Sequence, residues 1–416
     1  MSADIVFLIP GFLGFERAGN FGNFADRVCS ALRTQLEGRL AAQVRVVPLA
    51  SLPTTSFAER QRALSDALAY HVDAARAVER IHLVGHSVGG VDAHLFACQQ
   101  PLDGASWSQL DPHGLRHKLR SVVTIAAPHA GTCLAAAPGA GALTLSAIVD
   151  DPTGLKQMVE LVNKLLRSAL KDARATHGSA GLVREYRKVK HFMAELMRWQ
   201  SFLPLLTPDA MEQLYGRVQT REDVLRRSFV TMAGAARDPA APLSRADSFF
   251  EELTRRTSGS GNGFTRHSSR VREAMVQLRA ALDDPQRTIV SSAARPPAHV
   301  DAHTNDGLVN AARQLMQTGA ADELEAVVIG DHFDVLGYYD RGLGVVGPAQ
   351  DDVAISGLLH SGSAFRDTEF FALYRRVGDV VANQCARASE EPSAQASAPV
   401  AKRAGKRTPS RRPSAS

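Results

Sequence analysis

The sequence predicts an α/β fold with a mostly parallel sheet covered by helices on both faces. Three features carry that expectation. Apolar runs of strand length recur without polar alternation, as in strands buried on both sides. Amphipathic helical stretches separate them, which favours crossover connections and parallel pairing. One apolar run, Ile81 to Val84, leads directly into Gly85-His-Ser-Val-Gly-Gly90, a serine between glycines where strand gives way to helix.

In chain order, residues 4–9 (Asp-Ile-Val-Phe-Leu-Ile) read as a buried strand, followed by the unusually apolar turn Pro10-Gly-Phe-Leu-Gly-Phe15. Phe21, Phe24, Val28, Leu32 and Leu36 recur at helical spacing. Val44 to Val47 is the next strand. Ser56 and Glu59 form a capping box opening a helix with Phe57, Leu64, Leu68 and Val72. After the serine turn come a helix over 88–99 and a strand over 121–126. Residues 135–227 change character, with helical stripes from Leu155 to Leu170 and from Leu182 to Leu196. They read as a helical cap inserted between two strands. Phe229 to Met232 returns to the sheet. Residues 235–300 form a polar insert with helices near 246–256 and 268–282, then a short strand near 288–290. A strand over Ala326 to Ile329 and a helix over 363–384 close the fold. The expected organisation is a core over 1–134, the cap, a second core part over 228–385, and a disordered tail over 386–416.

Charge sharpens this division. The net charge is +5, yet seven of the 48 basic and two of the 43 acidic residues lie from Ala386 onward. The preceding chain carries 41 of each sign, so a basic surface for specific nucleic-acid binding is not expected of the body. Between Leu155 and Arg198 the cap holds ten Lys or Arg against four Asp or Glu. That bias fits a solvated helix face, or contact with an anionic membrane surface. The start lacks the pattern of a secretory signal and no run is apolar enough for a membrane span, so a cytoplasmic protein is expected. Four scattered cysteines (Cys29, Cys98, Cys133, Cys385) suggest free buried thiols rather than disulfides or a zinc framework.

The chemistry centres on Ser87. A serine in a G-x-S-x-G turn is held with its hydroxyl above the sheet, and Gly85 and Gly89 leave room for the crossing. The N–H of Val88, opening the next helix, points at any oxygen bound opposite. A serine needs an imidazole within reach and a carboxylate to orient it. His82, His86 and His94 lie too close in sequence to arch over Ser87, and His129 follows a strand without a positioned acid. His332 follows the last strong strand. Asp306, in a tight Asn-Asp-Gly turn, is the best-placed acid, with Asp301, Asp331 and Asp334 as competitors.

Taken together, Pro10–Phe15, Gly85–Gly90, Ala126-Ala-Pro-His-Ala-Gly-Thr132, Leu206-Thr-Pro-Asp-Ala-Met211, Asn305-Asp-Gly-Leu-Val309 and Asp331-His-Phe-Asp334 resemble the bacterial triacylglycerol lipases of the α/β-hydrolase superfamily. The motifs run in the family's order over about residues 4–340. The resemblance implies an α/β-hydrolase fold, Ser87 as nucleophile, His332 as base and Asp306 as acid. It also implies oxyanion donors from the backbone N–H groups of Phe12 and Val88. Pro10 stands where the family usually has histidine. No cofactor is implied beyond the structural calcium of some members. For that ion Asp334, with Asp283 or Asp284, matches ligand positions, while Gly337 and Tyr338 replace an expected glutamine. The expected activity is hydrolysis of a lipid or small acyl ester. A phospholipase, acyltransferase or thioesterase on the same scaffold, and a silent lipid-binding scaffold, are the alternatives.

Overall fold

The computed structural model describes residues 3–11, 26–40, 44–50, 52–73, 78–102, 104–132, 135, 202–233, 269–302, 304–316, 323–337, 339 and 363–390. Its elements in chain order are β1 (Ala3–Ile9), α1 (Asp26–Glu37), β2 (Val44–Pro48), α2 (Phe57–Asp73), β3 (Val78–His86), α3 (Val88–Phe96) and α4 (Trp107–Leu110). Then follow β4 (Leu119–Ile125), α5 (Pro208–Tyr215), β5 (Leu225–Met232), α6 (Ser269–Leu282), β6 (Thr288–Ile289), β7 (Leu324–Ile329) and α7 (Asp367–Glu390). The strands form one sheet in the order β2-β1-β3-β4-β5-β7-β6, and every pairing is parallel. The fold class expected from the sequence is therefore the one observed.

The period-two alternation of a strand sends neighbouring side chains to opposite faces, and both faces here are apolar. Val6 and Leu8 of β1 join Val84, Val123 and Val328 under α1 and α7, where Leu32, Leu36, Phe370, Leu373 and Val377 close the layer. Ile5, Phe7 and Ile9 turn the other way, against Leu64 and Leu68 of α2 and Ala93 and Phe96 of α3. Each large aliphatic side chain removed from water contributes roughly 1.5–3 kcal/mol. Such a doubly covered sheet is a rigid platform.

The helix and short strand expected within residues 235–300 are α6 and β6, and they pack on the sheet. Val271, Ala274 and Leu278 of α6 cover Val230 and Met232 of β5 and Val327 and Ile329 of β7, and β6 is an edge strand. The stripe is narrow on a helix otherwise rich in Arg, so its composition reads polar. Residues 202–215 pack Phe202, Leu203, Leu206, Met211 and Tyr215 against Val88, Val91 and Leu95 of α3. The basic part of the expected cap, the first part of the insert and the tail from residue 391 lie outside the described residues. Cys29, Cys98 and Cys385 are buried thiols outside any disulfide. No helix among the described residues is long and apolar enough to cross a membrane.

Candidate active site

At the carboxyl end of β3 the chain turns sharply into α3. Ser87 occupies the corner with φ 54° and ψ −132°, a left-handed backbone that a serine adopts only when its surroundings hold it there. They do so on three sides. Ser87 N–H donates to Ile125 O at 2.9 Å, and Ser87 O accepts from Gly90 N–H at 2.9 Å. From β1, Gly11 comes so close that a Cβ there would stand 2.6 Å from Ser87 Cβ and 3.1 Å from its Oγ. A Cβ on Gly89 would stand 2.3 Å from Ile9 O, so only glycine lets α3 start this near β1. A Cβ on Gly85 would meet the Gly89 backbone at the same 2.3 Å. Val88 is the first residue of α3, so its N–H has no carbonyl within the helix to bind. Phe12, the other expected donor, lies outside the described residues, immediately after Gly11.

Asp306 and His332 are brought together. Asn305 O accepts from Ala233 N–H at 2.8 Å, which ties the Asp306 turn to the end of β5. His332 follows β7 by three residues. His332 Nδ1 donates to Asp306 Oδ2 at 2.8 Å, and His332 N–H donates to Asp306 O at 2.9 Å. The carboxylate is fully engaged. Oδ1 accepts from Leu308 N–H (3.0 Å) and Val309 N–H (2.8 Å). Oδ2 also accepts from Thr231 Oγ1 (2.6 Å) and Gln314 Nε2 (3.1 Å). Both residues are buried, at 1% exposure for Asp306 and 3% for His332. In a neutral ring, an Nδ1–H facing the carboxylate leaves the lone pair on Nε2.

His86 connects this pair to the serine turn. Its Nε2–H donates to His332 O at 2.9 Å, and its ring lies 4.7 Å from the His332 ring. Burial holds its imidazole well below the usual range, and the neighbouring His332 adds to this, so His86 is a neutral brace. Sequence reasoning set His86 aside as a base, and its bracing role gave no signal there. Ser87 Oγ makes no hydrogen bond among the described residues.

The remaining expectations sort cleanly. Asp301 is exposed and turns its carboxylate to Thr304 N–H at 2.8 Å. Asp331 and Asp334 bond to their own loop: Asp331 Oδ1 accepts from Phe333 and Asp334 N–H groups, and Asp334 Oδ2 from Asp331 N–H and Ser363 Oγ. Burial pushes the Asp334 carboxyl up to about 7 and raises Asp331 well above the carboxylate range, with the charge of Asp334 adding to the latter. His129 is spent on Tyr215 OH and Thr124 Oγ1, and His82 on Ser121 Oγ and Cys385 Sγ. Of the carboxylates named for calcium, Asp284 Oδ1 accepts from Gln286 N–H at 2.8 Å ahead of β6, and Asp334 lies in the loop after β7.

No protein-family model matches the chain, and no curated protein sequence matches it. Among solved structures, the Staphylococcus hyicus lipase is similar at 16% identity and a TM-score of 0.45, covering 93% of this chain and 97% of that one. EstA from Clostridium botulinum is similar at 16% identity and a TM-score of 0.46, over 91% and 87% of the two chains. Lipase 1 from Pelosinus fermentans is similar at 14% identity and a TM-score of 0.45, over 92% and 99%. The parallel strand order and the strained serine corner in this chain are those of an α/β-hydrolase fold.

Proposed function

We propose that this protein is a serine hydrolase that cleaves carboxylic esters of lipids or other acyl groups through an acyl-enzyme. One observation carries the reading: a buried, carboxylate-oriented imidazole braced against the residue that precedes a strained serine. Asp306 fixes the His332 tautomer and stabilises the imidazolium that forms. As substrate binds, Ser87 Oγ and His332 Nε2 close to hydrogen-bond distance; such contacts are often long in unliganded enzymes. Ser87 Oγ attacks the acyl carbon and its proton passes to Nε2. The resulting oxyanion takes hydrogen bonds from the Phe12 and Val88 N–H groups, and Nε2 returns the proton to the departing alkoxide. Water then enters, loses a proton to Nε2 and attacks the acyl-enzyme, and Ser87 leaves reprotonated with the free acid released.

Support for the oxyanion site comes from packing. Gly11 packs against Ser87 Cβ and Oγ, and Val88, the residue after Ser87, opens α3. Apolar residues at 202–211 beside Val88 suit an acyl chain. The test is turnover of short- and long-chain p-nitrophenyl esters by Ser87→Ala, with fluorophosphonate labelling of the wild type. A kcat loss of several powers of ten is expected, of the order seen when a triad nucleophile is removed. Undiminished turnover, or a probe that leaves Ser87 unlabelled, rejects the reading.

A further inference from the structure

We propose that Gln314 and Thr231 are positioning residues which lock the Asp306 carboxylate to the end of β5 and thereby aim His332; this rests on the triad reading above. Both are fully buried. The Gln314 side-chain amide grips the Thr231 backbone as a neighbouring strand would. Its Oε1 accepts from Thr231 N–H at 2.7 Å, and its Nε2 donates to Thr231 O at 2.9 Å. That grip decides the amide's orientation, because a backbone N–H requires the oxygen opposite it. Nε2 is consequently the end that faces Asp306 Oδ2 at 3.1 Å and Val309 O at 3.2 Å.

Thr231 completes the clamp. Its single hydroxyl proton has two acceptors within reach, Asp306 Oδ2 at 2.6 Å and Gln314 Oε1 at 3.0 Å. The closer, charged oxygen is the stronger acceptor. Asp306 Oδ2 then receives three donors, and only the one from His332 can become cationic. The other two are neutral and rigidly mounted. They fix the carboxylate without competing with the imidazolium for its charge, which is the condition for a pre-organised orienting acid.

The titratable groups around this cluster are few. His332 contacts Asp306 directly, and His86, held neutral by burial, packs on His332. Asp331 senses the charge of Asp306 from the loop after β7, and Asp334 faces Asp331. Arg313, adjacent in sequence to Gln314, turns its guanidinium to Ala130 O at 2.8 Å. A new carboxyl at position 314 would therefore meet Asp306 with no cation in contact to relieve it.

Gln314→Glu, nearly isosteric, tests this on the full-length enzyme. Two carboxyl groups this close share a proton, so one of them titrates well above the usual range. While the proton is retained it replaces the amide N–H, and kcat/KM stays near the wild type. As pH rises and the proton leaves, repulsion displaces Asp306, and a basic limb absent from the wild-type profile is expected. Thr231→Val should lower kcat about ten- to a hundredfold, the scale of a small misplacement of a catalytic group, with KM within about twofold. Thr231→Ser should restore kcat. Urea midpoints for each variant separate misfolding from mispositioning. A Gln314→Glu profile parallel to the wild type, or a folded Thr231→Val with wild-type kcat, overturns the proposal. If Ser87→Ala abolishes turnover and these variants behave as wild type, the positioning role alone falls; if Ser87→Ala remains active, the triad reading falls with it.

Discussion

Asp92 and Asp306 are both buried carboxylates, and their surroundings are opposite in kind. Asp92, on α3, faces Arg60 of α2 through two bonds, Nε to Oδ1 at 3.0 Å and Nη2 to Oδ2 at 2.5 Å. Arg60 also donates to Leu52 O and Pro53 O, and Phe202 lies over its guanidinium at 5.0 Å. Every charge there meets a permanent opposite charge, and the set is closed. Asp306 instead meets neutral donors and one imidazole, whose Nε2 has no partner among the described residues. On the proposed triad, the difference separates a structural ion pair from a chemical one. A clamp uses all its valences, whereas a site holds one atom in reserve.

The sharpest way to break that comparison is Asp306→Asn. The amide would favour the wrong His332 tautomer, and kcat should fall by about 10⁴, as in other triads. A fall of less than about tenfold in the folded protein would place Asp306 among the clamps. Arg60→Met should do the reverse. Leaving Asp92 buried and unpaired costs about 3–5 kcal/mol, visible as a lower urea midpoint, while kcat per folded molecule stays within about threefold. Pairing it with Asp92→Leu should recover most of the loss.

A smaller effect comes from Gly11→Ala. The new Cβ would occupy the space of Ser87 Cβ, so kcat/KM should drop about a hundredfold by displacement of the nucleophile. A change confined to stability would show that the corner can yield. The smallest effect is the pH dependence near His332. Burial pushes the Asp334 carboxyl up to about 7 from its ordinary 3.8, so the folded state binds more protons across that window. Its stability contribution therefore declines as pH rises from about 4 to 7. Asp334→Asn should flatten that slope in urea midpoints. The buried His82 and His94, lowered by burial to about 4 and about 3, weaken the fold on acidification below the ordinary 6.5. They do so in both proteins and cancel in the difference.

Much of this was legible in the sequence because it is written locally. The strands and the glycine-flanked serine turn follow from patterns within short windows. The supports were not legible. Gln314 and Thr231 stand 83 residues apart and Arg60 and Asp92 stand 32 apart, with no periodicity linking either pair. Thr231 reads as one more strand residue in Phe-Val-Thr-Met, and Arg60 as a charge on an amphipathic helix. β6 was visible as a short strand, but its place beside β7 at the edge depends on a pairing that composition does not encode.

The bond from His86 to His332 spans 246 positions of the chain. On the proposed triad, a ribosome that has released the first four strands has delivered the nucleophile before the imidazole that would activate it is synthesised. Amino-terminal segments emerge and begin to order first, so the growing polypeptide would stay inert as an esterase until residue 332 is in place. Shortened products ending before residue 332 would share that inertness, whatever fraction of the sheet they form.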